Sequence, residues 1–171
     1  KKVLEYCYEM WIKIIDYNNK VNSFPSSQKI GNCSAIMIGP ERYEESLFSY
    51  DRGIIQRFYD INQKILLHHC GKFDHFIPSY RRIPHVDVLQ IGYESNVKIA
   101  LEAFPESDVE YFFSAYLIKN GSRNEIEGKT NEILESARGN WKRFSIILPD
   151  IDYGSPDENI LEVYECCKKA A

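Results

Sequence analysis

The sequence lacks several features that would have assigned it a class outright. It contains no CxxC pair, and its five cysteines, at 7, 33, 70, 166 and 167, are odd in number and include two adjacent ones. That pattern argues against a disulfide framework and suits a reducing compartment, so a cytoplasmic location is expected. Long apolar runs are missing: Ile65-Leu66-Leu67 and Ile146-Ile147-Leu148 are far too short to span a bilayer, and no membrane role is expected. Positive charge is not in excess. The net charge of −4 offers no footprint for nucleic acid. No charged segment followed by an apolar one opens the chain, so no secretion signal is read. The chain begins at Lys1 without an initiator Met, which leads us to expect a piece of a longer protein.

What is present is an ordinary globular composition. The 171 residues are 44% hydrophobic and 27% charged, and nothing in that balance favours disorder. Apolar residues alternate between helical and extended periods along the whole chain. Leu4, Cys7, Trp11, Ile14 and Ile15 are spaced for one helix face. After Ser23-Phe24-Pro25, Cys33 to Ile38 reads as a short strand. Gly39-Pro40-Glu41 then opens a second helix, with the proline in its first turn and a stripe through Tyr43, Leu47, Ile54, Phe58 and Ile61.

Four more strands are expected, at Lys64–Leu67, Val86–Ile91, Tyr111–Ile118 and Phe144–Leu148. Helices are expected at Val97–Phe104, after the Ser122–Glu125 capping box, and after Ser155-Pro156-Asp157-Glu158. The strict alternation predicts an α/β fold with a parallel sheet and helices outside it. Two closures fit: a complete five-stranded doubly wound sheet, or about five units of a (β/α)8 TIM barrel, which needs roughly 200 residues at minimum. Pattern alone favours the sheet. No repeat or linker interrupts residues 1–171, so a single structural unit is expected.

His68-His69-Cys70-Gly71 falls where the apolar strand ends, the edge at which parallel α/β folds place their chemistry. On an extended chain His68 and Cys70 point to one face, and imidazole and thiolate are preferred zinc donors. Spacing alone leaves two readings open, a metal site and a buried thiol beside a hydrogen-bonded histidine. His69 should face the other way and pack.

Three segments resemble one family. Leu67-His68-His69-Cys70-Gly71 is similar to the H-x-C-G segment of corrinoid-dependent methyltransferases within the uroporphyrinogen decarboxylase family. Asn32 to Tyr43 resembles that family's D-S-x-x-x-x-x-S-P-x-x-Y/F stretch, and Pro149 to Asn159 resembles its last loop and following P-x-E-N/H helix start. The segments occur in the family's order, and together they select the C-terminal part of a (β/α)8 TIM barrel over the complete sheet.

That resemblance implies an active site at the C-terminal mouth of the strands. In the methyltransferases zinc, held by H-x-C and a later cysteine, activates a thiol to accept a methyl group from a corrinoid protein. Here Pro149 stands where that cysteine, or the decarboxylases' histidine, would be, so the expected metal set is His68 and Cys70 with Cys33 or Asp150. Asn32, Glu94 and Tyr116 occupy the expected substrate-binding positions. Ala115-Tyr116 replaces the family's usual Gly-Asn pair, and Gly92 stands near a usual acidic position. The alternatives are a metal-free decarboxylase acting on a porphyrinogen (uroporphyrinogen III in the family) and a non-catalytic barrel that binds a tetrapyrrole or corrinoid. Five units leave two sheet edges open, and open edges pair. The remaining strands are therefore expected from residues outside this sequence or from another chain, and a homodimer is a further expectation.

Overall fold

Among the described residues, five short strands carry the extended periods of the sequence: β1 Ser27–Gly31, β2 Lys64–His69, β3 Val88–Ile91, β4 Asp108–Phe112 and β5 Phe144–Ile147. The structure, a computed structural model, describes residues 1–24 and 27–170. All four strand pairings are parallel, and the strands lie side by side in chain order, β1-β2-β3-β4-β5.

That order bears on how the sheet is covered. A doubly wound sheet reverses its direction of growth at a switch point, which puts helices on both faces. Strictly sequential parallel strands with right-handed crossovers send every connecting helix to the same face. Helix contacts agree with one layer. α1 Lys2–Lys20 packs on α3 Phe48–Asp60, α5 Val97–Ala103 packs on β4 and on α7 Arg123–Ser136, and α7 packs on α8 Asp157–Ala170. The strand alternation matches. Ile65, Leu67, Leu89, Ile91, Val109 and Tyr111 are buried, whereas Leu66, Val88, Glu110 and Phe112 on the other face are only partly covered. One curtain of helices outside a parallel sheet is compatible with part of a β/α barrel.

Several elements differ from the sequence expectations. The first strand lies at Ser27–Gly31, upstream of the expected Cys33–Ile38, and Pro25 lies outside the described residues. Residues 35–38 instead open α2 Ala35–Ser46. Its helical run breaks at Gly39, with φ 78°, and restarts at Pro40, so the proline does begin a helical turn. Apolar content misled here because Met37 projects into solvent at 85% exposure, contributing neither strand nor core. The stripe from Tyr43 to Ile61 is split into α2 and α3 at Leu47.

The expected strand Tyr111–Ile118 stops at Phe112. The Ser114 hydroxyl accepts from the Leu117 amide and starts α6 Ala115–Asn120, a local cap that overrides β-rich composition. The Ser122–Glu125 capping box forms as read. The Ser155 hydroxyl does not cap α8: it is buried without a hydrogen-bond partner among the described residues.

α8 is tied to the rest by Asn159, whose side-chain amide donates to the Ile118 and Gly121 carbonyls at 2.8 and 3.0 Å. These are carbonyls at the end of α6, which no further helical turn would satisfy. Asn159→Ala should leave them unpaired and lower unfolding free energy by about 1–3 kcal/mol in urea denaturation.

Candidate metal centre

β2 ends at His69, and the chain turns at Gly71 with φ 70°. Because side chains alternate along a strand, His68 and His69 fall on opposite faces of the sheet. His69 is fully buried on the helix side, its Nδ1 2.9 Å from the Tyr80 hydroxyl and its ring against Phe73 and Phe76. Burial pulls its pKa down to about 4, so it is neutral. Its Nε2 has no hydrogen-bond partner among the described residues, and the Lys72 backbone favours the charged ring against the effect of burial.

His68 faces the other way, where Cys70 and Cys33 meet it. The His68 Nε2 and the Cys33 Sγ each lie 3.0 Å from the Cys70 Sγ. The three ligand atoms fall within 4.8 Å of one another, and among the described residues they are the only such group. Cys33 comes from the turn after β1, and β1 ends level with His68: Gly31 pairs with it in register, with open space where a side chain would stand. Asn32 then returns to β2, its amide donating to the His68 carbonyl at 2.8 Å. This pins the turn that delivers Cys33.

Two glycines permit the loop on the other side. A Cβ on Gly92 would strike the Gly71 backbone, and one on Gly71 would strike the Ile36 side chain. The loops after β2 and β3 thus touch backbone to backbone just beyond Cys70.

The electrostatics favour the neutral forms of His68 and Cys70. Burial lowers the pKa of His68, helped by the charge of Lys29 and opposed by Gln90 and Asp150. Burial pushes the Cys70 thiol up to about 11, reinforced by Cys33 and Asp150. Two sulfurs and an imidazole make a donor set that zinc accepts. Around a tetrahedral ion with bonds of about 2.0–2.3 Å the donors would stand about 3.5–3.8 Å apart, a small opening of the 3.0 Å separations. The residues present fit such an ion. Asp150 acts on the cluster through its charge while its carboxylate stays outside the group of three, in which Cys33 is the third side chain that could hold a metal ion.

The expected substrate positions part ways. Asn32 is 7% exposed, and its side chain is spent below the cluster, donating to the Asp51 carboxylate at 3.0 Å and the Tyr80 hydroxyl at 2.9 Å. Glu94 is exposed, and its carboxylate borders Gly71. Tyr116 is 77% exposed in the first turn of α6, and no side-chain hydrogen bond or ring contact ties it to the cluster.

Two groups of residues escaped the sequence reading. One is the buried network beneath the turn, Asp51, Tyr43 and Tyr80 around Asn32. The other is Gln90, whose Oε1 lies 3.1 Å from the His68 Nδ1, with Glu110 behind it. Polar residues inside the apolar strands Val88–Ile91 and Asp108–Phe112 were the available signal for the second group.

Burial raises the Asp51 carboxyl above its usual range, although hydrogen bonds from Tyr43 and Asn32 partly offset this. A raised folded-state value means that the fold favours the neutral acid. That contribution is complete below the ordinary carboxyl value of about 3.9 and is lost as pH rises through the folded value. Asp51→Asn keeps a neutral acceptor at the site. Its stability relative to the parent should improve as pH rises from about 4 to 7, read from urea midpoints at each pH.

No helix among the described residues is long and apolar enough to cross a membrane. Compared with protein-family models and with curated proteins, the chain matches none.

Proposed function

We propose that this chain carries a catalytic zinc centre at Cys33, His68 and Cys70. It would serve a methyltransferase of the uroporphyrinogen decarboxylase family, moving a methyl group between a corrinoid protein and a thiol acceptor. The observation that carries this reading is the cluster itself: one nitrogen and two sulfur donors converging at the C-terminal edge of a parallel sheet. Three protein ligands with room for a fourth is the pattern of catalytic rather than structural zinc sites. Bound there, zinc would deprotonate an incoming thiol at neutral pH and hold it as a nucleophile.

The chain's own residues divide the remaining work. Cys33 and Cys70, as thiolates, would offset the charge of a bound dication. His68 supplies a neutral ligand. Phe112 packs on its ring at 5.1 Å and limits water on that side. Cys33 is exposed, which leaves the cluster open toward an approaching substrate. A metal-free decarboxylase would leave two thiols 3.0 Å apart without a task.

Titrated with Zn(II) against a chromophoric chelator, the purified chain should take up about one equivalent. Cys33→Ser, His68→Ala and Cys70→Ser should each weaken uptake beyond the roughly 10–100-fold that loss of an outer hydrogen-bond partner costs. Asp150→Asn, which removes a neighbouring charge and no donor, should weaken it far less than any of these three. With methylcobalamin as donor and 2-mercaptoethanol as acceptor, zinc-dependent loss of the cobalt–methyl absorbance is expected. Failure to bind zinc overturns the metal centre; binding without thiol-dependent methyl loss overturns the methyltransferase.

A further inference from the structure

We propose that Glu110 and Gln90 are positioning residues that lock the tautomer of His68, keeping Nδ1 protonated and Nε2 bare toward Cys33 and Cys70. The purpose of the lock rests on the metal-centre reading; its existence does not.

The three side chains form one row across the sheet. Parallel register sets His68 opposite Gln90 and Gln90 opposite Glu110, so all three project from the same face. Gln90 Oε1 stands 3.1 Å from His68 Nδ1, and Gln90 Nε2 stands 2.5 Å from Glu110 Oε2. On the far side of His68 the register position is Gly31, which has no side chain to compete for the ring.

Hydrogen-bond polarity then runs one way. The Glu110 carboxylate only accepts, so it turns the amide nitrogen of Gln90 toward itself. That leaves the amide oxygen of Gln90 for His68, and an oxygen can only accept. The His68 Nδ1 must carry the hydrogen. A neutral imidazole has one N–H, so Nε2 keeps its lone pair, and Nε2 is the atom 3.0 Å from the Cys70 Sγ. Without Glu110 the amide could rotate and offer its N–H₂ to Nδ1 instead, which would place the imidazole hydrogen on Nε2 and block it as a donor to a cation.

The Cys70 thiol beside Nε2 can accept or donate a hydrogen, so it leaves the choice of tautomer to Gln90. His68 is 7% exposed and Gln90 8%, so bulk water has small access to either. The Phe112 ring lies 44° from the imidazole plane and restricts its rotation.

The test reads the tautomer directly. In metal-free chain carrying ¹⁵N-labelled histidine, a long-range ¹H–¹⁵N spectrum at neutral pH should show His68 in the Nδ1–H form, assigned by the signals lost in His68→Gln. Glu110→Ala should move it to a mixture or to Nε2–H and weaken Zn(II) uptake about 10–100-fold. The exchanged pair Gln90→Glu with Glu110→Gln should restore both readouts. In that pair the new carboxylate accepts from Nδ1–H and from the new amide, so both hydrogen bonds reform. A residue that merely filled space would neither shift the tautomer nor be rescued by the exchange.

An Nε2–H signature in the unmodified chain overturns the lock, whether or not any variant folds. So does an Nδ1–H signature that survives Glu110→Ala. A locked tautomer in a chain that takes up no zinc upholds the lock and overturns the metal centre alone.

Discussion

The in-register pairing of β2 with its two neighbours is the constraint on which the rest of the site depends. It sets His68 beside Gln90 on one side and beside the empty position of Gly31 on the other. A register slip of one residue on β2 would exchange His68 with His69 and carry the cluster into the core. The register is held by burial. Ile65, Leu67 and His69 lie on the helix face, and each is fully covered. A slip would expose all three and bury Lys64 in their place, so the apolar face of β2 specifies where the polar face presents its histidine.

The same division explains why two adjacent histidines have unrelated roles. His69 belongs to an aromatic cluster with Phe73, Phe76 and Tyr80, and through the Tyr80 hydroxyl it joins the Asn32 and Asp51 network. That network lies under the turn that carries Cys33. Buried polar groups of this kind are rigid when satisfied, because breaking any member strands its partner in a low-dielectric interior. The turn is therefore braced from below while its thiol faces out. The opposite loop is braced by the Gly71–Gly92 contact and by the Ser95 hydroxyl, which accepts from the Phe73 amide and donates to the Gly71 carbonyl.

Much of the fold was legible because local rules agreed with tertiary ones. The alternation of periods, the capping box at Ser122 and the apolar runs of β2, β3 and β5 appear where their residues predict. The failures share a cause. Ala35 to Ile38 and Ala115 to Ile118 are apolar stretches that became helix, because position relative to a turn outweighed composition. His68 and Cys70 could be paired from i, i+2 spacing on an extended chain, since that geometry is a property of the strand itself. Cys33 stands 37 residues from Cys70, so spacing could not propose it; it entered only through the resemblance, as an alternative to Asp150.

By itself the sequence determined the class, a parallel α/β arrangement, and the strand end bearing His68 and Cys70, because periodicity and short motifs are local. Tertiary structure decided what depends on strand order and register. Sequential order placed the helices on one face, and the turn after β1 brought Cys33 to the two local donors. Three strands lying level then lined up His68, Gln90 and Glu110, residues separated by about twenty positions each that only a parallel sheet makes neighbours.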